Sequence, residues 1–273
     1  LVRRLEQWLG MALFERGTAR QSRLHLTDAA ERALPDIQAG FERLSRGVEL
    51  LKEGTRTQTV TITVSPAFAA KWLIPRIERL RSRWPDFDVR LDTNHKPVDF
   101  AAQRVDLGVR YGPGIWQGLL AEKLMDEDVF PVCAPGWRHE REHLQRPSDM
   151  EGETLIHDLS MDGYTGFPSW RTWLEKAGAG QIDSSRGLRI NNSSAVLQAA
   201  IDGQGVALAR SVMARDDLAA GRLVRLFPTI HCPSSLAYYV VYPPENANLP
   251  GVDAMRKWLT DEASSDRPQA SLY

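Results

Sequence analysis

The sequence predicts an α/β protein that follows a basic, partly helical head, and three observations carry the prediction. From Thr59 onward, short β-branched runs alternate with helical patterns, the texture of a parallel sheet with helices packed on it. Before that, Ala30, Leu34, Ile37, Phe41, Leu44, Val48 and Leu51 recur at spacings of 4, 3, 4, 3, 4 and 3. That is the a/d seam of a helix that pairs with another helix. Finally, residues 1–25 hold five Arg (Arg3, Arg4, Arg16, Arg20, Arg23) against two Glu (Glu6, Glu15), although the 273-residue chain has a net charge of −1. A local basic patch of this kind suits phosphate contact, and it equally suits an ordinary solvated face.

The head opens without an initiator Met or an N-cap, so Leu1 reads as lying inside a helix that begins upstream. Val2, Leu5 and Leu9 share one face, and Gly10 is a helix stop. Leu13-Phe-Glu-Arg16 and Arg23-Leu-His-Leu26 are predicted as two short strands joined by a polar turn with Arg20 at its tip. Thr27 then offers an N-cap, with Asp28 and Glu31 at the positive end of the helix. Pro35 should kink this helix or shift its start, and residues 54–58 read as a hinge.

In the body, strands are predicted at residues 59–64, 86–91, 105–110, 128–134, 155–157, 188–190, 206–208, 223–227 and 236–242. Helices are predicted at residues 67–84, 98–104, 170–176, 193–202 and 252–263, with one more between 208 and 223. The tail from 264 to 273 is polar.

Several classes of function find no support. Cys133 and Cys232 make neither a disulfide framework nor a metal cluster, and they read as core thiols. His139 and His143 sit one helical turn apart, with no third ligand for a metal. No motif for covalent, phosphate-cradling or metal-assisted chemistry occurs, so no catalytic residue, metal or cofactor is expected. No apolar run is long enough to span a bilayer.

Leu5-Glu6, Leu9-Gly10 and Leu13-Phe14 with Arg16 resemble the end of the DNA-reading helix and the wing of LysR-type transcriptional regulators. The body adds Phe68-Ala-Ala-Lys-Trp-Leu-Ile-Pro-Arg76, Val105-Asp-Leu-Gly-Val-Arg-Tyr-Gly112, Leu197-Gln-Ala-Ala-Ile-Asp-Gly-Gln-Gly205 and Tyr238-Tyr-Val-Val-Tyr-Pro243. With Pro168-Ser-Trp-Arg-Thr-Trp-Leu174, these phrases look most like the branch of glycine-cleavage activators and β-lactamase regulators. The resemblance implies a partial winged helix-turn-helix at residues 1–26, with Arg3, Arg4, Arg16, Arg20 and Arg23 facing double-stranded DNA. The base-reading part of such a head would lie before Leu1, so specific DNA reading by this chain is expected to be impaired. It further implies a linker helix at 27–54, through which Leu34, Ile37, Phe41, Leu44, Val48 and Leu51 pair two subunits into a dimer or tetramer. A bilobal, periplasmic-binding-protein-like effector domain would follow. Lobe I would be residues 59–131 with 236–263, lobe II residues 132–235, and the crossings would fall at 129–134 and 236–242. A cytoplasmic regulator with no membrane partner is the expectation. The alternative is the solute-binding component of a transporter with the same two lobes, in which a basic head and a pairing helix have no role.

Ligands of open α/β sheets sit beyond the carboxyl ends of strands, where helices begin. Ser65 with Phe68 and Asn192-Ser193-Ser194 occupy two such junctions, and Arg110-Tyr111 ends a strand. These seven residues are the candidate effector contacts, for a small anionic or zwitterionic molecule. The hydroxyl and amide residues among them also suit plain N-caps, and Arg110 a surface ion pair.

Overall fold

A computed structural model describes residues 1–16, 24–52, 58–85, 87–93, 100 and 103–266. The chain divides into two compact units, Leu1–Thr57 with Ala101–Arg104, and Gln58–Phe100 with Val105–Tyr273.

In the first unit, helix α1 (Val2–Leu9) ends at Gly10, whose φ of 70° lies in the left-handed region. Its N–H closes on the Glu6 carbonyl. The Glu6 carboxylate accepts from the backbone N–H groups of Leu13 (2.9 Å) and Phe14 (3.4 Å), which ties the helix to strand β1 (Phe14–Arg16). Strand β1 pairs antiparallel with β2 (Leu24–Leu26), Phe14 opposite Leu26. Thr27 donates to the Ala12 carbonyl at 3.1 Å and accepts from the Ala30 N–H at 3.4 Å, so one hydroxyl closes the two-stranded unit and starts helix α2. Helix α2 runs Asp28–Lys52, with Pro35 accommodated inside it. Along its seam Ile37, Phe41, Leu44 and Val48 are exposed, Phe41 and Leu44 at 68% each.

The second unit holds two five-stranded sheets. The first contains β3 (Gln58–Val64), β4 (Phe87–Thr93), β5 (Leu107–Gly112), β6 (Leu120–Met125) and β12 (Ala237–Tyr242), in the order β4-β3-β5-β12-β6. The second contains β7 (Val129–Cys133), β8 (Leu155–Asp158), β9 (Leu188–Ile190), β10 (Val206–Arg210) and β11 (Val224–Arg225), in the order β11-β7-β10-β8-β9. Between them come helices α3 (Pro66–Phe68), α4 (Ile77–Arg83), α5 (Pro135–His139), α6 (Trp170–Lys176), α7 (Ser193–Ile201), α8 (Ser211–Ala219) and α9 (Pro250–Ser265). Alternation along β7 sorts its side chains. Val129 and Cys133 join one apolar cluster with Trp137, Trp170 and Trp173, while Phe130 and Val132 join another with Ala207, Val196 and Val212.

Three expectations are corrected. The sheets are mixed rather than parallel: β3 pairs parallel with β4 and β5, but β12 pairs antiparallel with β5 and β6. Strand β12 returns from the other sheet without a crossover helix, so nothing obliges it to run parallel. Strand β6 was not foreseen, because Ala121, Glu122, Lys123, Leu124 and Met125 are helix formers, and pairing with β12 overrides that preference. The crossings lie earlier than expected. β7 belongs wholly to the second sheet and β12 wholly to the first, so the chain passes between sheets at residues 126–128 and returns at 233–236. An isolated bridge pairs Asp128 with Pro233 there. Residues 129–131 therefore go with lobe II. The helix expected at 98–104 lies largely outside the described residues.

The helix after β3 is continuous but irregular. α3 leads into a π turn (Ala69–Leu73) and a 3-10 turn (Ile74–Arg76) before α4 resumes. Pro75 explains the break: it has no N–H to donate to the Lys71 carbonyl, and its ring crowds that oxygen.

Candidate functional site

A cleft opens where strands of both sheets end. Its lining is Ser65, Ala67 and Phe68 after β3, Val109 to Tyr111 at the end of β5, Ser160, Met161 and Tyr164 after β8, Ser193 after β9, Arg210 at the end of β10, and Tyr238 on β12. Its cavity volume is about 60 Å³, and the wider space of about 580 Å³ includes solvent at its open mouth.

The lobe II wall is a polar relay. Arg210 is 7% exposed, and its Nη2 donates to Ser193 Oγ at 2.7 Å. Its Nη1 donates to the Tyr238 hydroxyl at 3.2 Å. The guanidinium also lies over the Tyr111 ring, 5.2 Å from its centroid. Ser193 Oγ donates to Asp158 Oδ2, while Asp158 Oδ1 accepts from the Ser160 hydroxyl and, at 3.0 Å, from the Ser160 N–H. Burial works against the Arg210 charge, but Tyr238, Glu127 and Asp158 outweigh it and hold its pKa above the usual value. The cation is thus permanent.

The lobe I wall is assembled on β3 and β5. Ser65 caps α3, its hydroxyl accepting the Phe68 N–H at 3.2 Å. Phe68 is fully buried, stacked on Trp72 at 5.0 Å and packed against Tyr238 at 5.2 Å. Arg110 donates to the Thr63 carbonyl and hydroxyl (3.0 Å each) and to the Val109 carbonyl (3.1 Å). It has no ion pair among the described residues, and burial lowers its pKa from the ordinary arginine value. The Tyr111 hydroxyl meets Ser234 Oγ at 2.7 Å, and burial pushes its pKa up to about 12.

Of the residues singled out from sequence, Ser65, Phe68, Arg110, Tyr111 and Ser193 line this cleft. Asn192 and Ser194 do not. Asn192 Oδ1 caps α7, accepting from the N–H groups of Ser194 (3.0 Å) and Ala195 (3.2 Å) and from the Ser194 hydroxyl (2.6 Å). At that junction the plain capping role describes both side chains. Of the candidate DNA contacts, Arg3 and Arg4 are exposed on α1, Arg20 and Arg23 lie outside the described residues, and of Arg16 only the backbone in β1 is described. The seam residue Leu51 lies within α2, its side chain outside the description.

Both cysteines sit in the apolar cluster beside Trp173. Burial pushes the Cys133 thiol up to about 12 and raises that of Cys232, which suits inert core residues. Among the described residues no group of His, Cys, Asp and Glu is arranged to hold a metal. No described helix is long and apolar enough to cross a membrane.

Residues 53–264 match the LysR substrate binding domain family. The chain belongs to the LysR family of transcriptional regulators. It is 35% identical over 97% of its length, and 84% of the relative's, to the glycine cleavage system transcriptional activator of Escherichia coli K12. It is 31% identical over 96% of its length to the AmpR transcriptional activator of Pseudomonas aeruginosa, of which it covers 84%. The crystal structure of that AmpR's effector domain superposes with a TM-score of 0.63 at 29% identity, covering 77% of this chain and 97% of that one. The fold also extends to CrgA of Neisseria meningitidis, with a TM-score of 0.60 over 96% of this chain and 87% of that one. The matched relatives are regulators, so the transporter-component reading is set aside.

Within this LysR domain, sequence reasoning missed Arg210, Tyr238, Ser160 and Tyr164. Arg210 stands in Val206-Ala-Leu-Ala-Arg210, where it reads as the polar end of an apolar strand. The usable signal was its place at the carboxyl end of a strand directly before a helix, the same rule that selected Ser65 and Ser193.

Proposed function

We propose that the cleft is the effector site of this LysR regulator and that it takes a small molecule carrying an anionic group. One observation carries the reading: two guanidiniums, Arg110 from lobe I and Arg210 from lobe II, line one cleft, and among the described residues Arg110 bonds only carbonyls and a hydroxyl. Desolvated donors of this kind favour a carboxylate or phosphate over a neutral ligand. Ser65, Ser160 and Ser193 add hydroxyl oxygens that can accept from an ammonium group, which admits amino-acid-like zwitterions. Effector binding changes how the lobes close, and α2 relays the change to DNA-binding heads whose spacing on DNA sets the output. The exposed seam of α2 pairs two chains, Arg3, Arg4, Arg16, Arg20 and Arg23 contact phosphate, and the protein acts in the cytoplasm without catalysing a reaction.

The test is a thermal-shift screen of carboxylates, phosphates, amino acids and short peptides, followed by calorimetry of hits on wild-type protein and Arg110→Met. The expected result is stabilisation by anionic compounds and at least a tenfold affinity loss in R110M. Hits confined to neutral compounds, or equal affinity in R110M, refute the reading.

A further inference from the structure

Behind the cleft, the two lobes meet through a second set of contacts that ligand binding does not explain. Helix α8 of lobe II presents three consecutive charged residues, Arg215, Asp216 and Asp217, to lobe I. Lys71, in the π turn of lobe I, reaches Asp217 at 2.9 Å, with the two side chains only 17% and 4% exposed. Arg76 pairs with Asp216 at 2.8 Å. Arg215 pairs with Asp266, just beyond the end of α9, at 3.0 Å. Each lobe anchors its own half. Asp217 is held by Arg222 of its own lobe at 2.7 Å. Asp266 is held by Arg76 at 2.9 Å and by the Trp72 indole N–H at 2.9 Å. Arg76 also lies over the Trp72 ring and donates to the Trp72 carbonyl.

The placement follows from the irregular helix. The π turn widens the backbone where Lys71 emerges, and the 3-10 turn at Pro75 aims Arg76 to the same side. Lys71 is six residues beyond Ser65 and Asp217 seven beyond Arg210, so these pairs lie roughly 10 Å along their helices from the cleft. Any rotation of one lobe on the other about residues 126–128 and 233–236 moves α8 against the π turn. Lys71–Asp217 is largely desolvated, whereas Asp216 (37% exposed) and Arg215 (28%) are partly solvated, so the buried pair is the costliest for rotation to break.

We propose that Lys71–Asp217, Arg76–Asp216 and Arg215–Asp266 form an ionic latch that holds the lobes in this arrangement, and that lobe rotation must break it. The proposal rests on the reading that the lobes move on effector binding, but its test needs no effector.

Spin labels at Ser82→Cys and Lys176→Cys, both exposed and one in each lobe, report the inter-lobe distance by pulsed electron paramagnetic resonance. The triple variant K71Q/R215Q/D216N removes every latch pair, while Asp217 keeps Arg222 and Arg76 keeps Asp266, so no buried charge is stranded. The latch predicts one narrow distance distribution in the labelled, otherwise wild-type chain, a broadened and shifted one in the triple variant, and intermediate ones in K71Q and D216N. K71R, which keeps the charge, stays narrow. Removing the exposed pair within lobe I, Arg83–Asp261, by Arg83→Gln leaves the distance unchanged. An unaltered distribution in the triple and single variants overturns the latch, even if their melting temperatures fall.

Discussion

Replacing Ser193 by Ala removes a single hydroxyl from the centre of the cleft relay. That oxygen accepts from Arg210 Nη2, donates to Asp158 Oδ2 and lies 2.9 Å from Ser160 Oγ. The two losses are unequal. Asp158 is half-buried and keeps both bonds to Ser160, so water can replace the missing donor. Arg210 is buried, and its Nη2 loses its only hydrogen bond among the described residues. A hydrogen bond to a charged group contributes about 1.5–3 kcal/mol, and stranding a buried donor falls at the upper end of that range. Ala at the first position of α7 returns about 0.5 kcal/mol of helix propensity. The net expectation is a loss of about 2–3 kcal/mol, or roughly 4–12 °C in melting temperature for a domain of this size. Scanning calorimetry of wild type, S193A and S194A checks it. S194A removes only a bond to the Asn192 cap and should shift the transition by no more than about 1 kcal/mol. If S193A melts within 2 °C of wild type, water has taken the hydroxyl's place and Arg210 does not depend on Ser193.

Three further outcomes are expected. Glu127 is 3% exposed, accepts from the Ser211 hydroxyl and the Val212 N–H, and faces Arg210, Tyr238 and Tyr111; burial raises its pKa above the ordinary 4.5. The stabilisation from a raised carboxyl is full below its unfolded value and lost as pH rises through its folded value. Wild type should therefore lose stability relative to E127Q as pH climbs from about 4.5 toward neutral, and urea curves that run parallel across this window would exclude the effect. Gly187→Ala places a Cβ against the Leu155 carbonyl at a φ of 130°, so its urea midpoint should fall by the equivalent of about 2–4 kcal/mol; an unchanged midpoint would mean the β8–β9 edge relaxes freely. Phe41→Asp with Leu44→Asp should convert the assembly to monomer in sedimentation velocity without lowering the melting temperature of the effector domain, and a sedimentation coefficient matching wild type would remove α2 from the interface.

Much of the fold was legible because local chemistry wrote it. Ser65 and Thr27 are hydroxyl residues at predicted helix starts, and the helices they cap are present. Gly10 ends α1 because its conformation is one that other residues avoid. Period-2 alternation in β3 buried Val60, Ile62 and Val64. The candidate site was legible where strand ends and helix starts marked it, which selected Ser65, Phe68, Arg110, Tyr111 and Ser193 and, with them, the capping residues Asn192 and Ser194. Strand β6 was hidden because its residues prefer helix in isolation.

By itself, then, the sequence determined the α/β class, the order of nearly every element, the apolar periodicity of α2 and the family. These depend on residues close together in the chain, where period, capping and turn chemistry act. The tertiary structure alone decided which strands share a sheet, and where the chain crosses between the two. It also decided that Arg210 meets both Ser193 and Tyr238, and that Lys71 reaches Asp217 across 146 residues. Those contacts join side chains whose local surroundings carry no trace of the partner. A buried cation and its acceptors are matched only once the strands bearing them have been brought together.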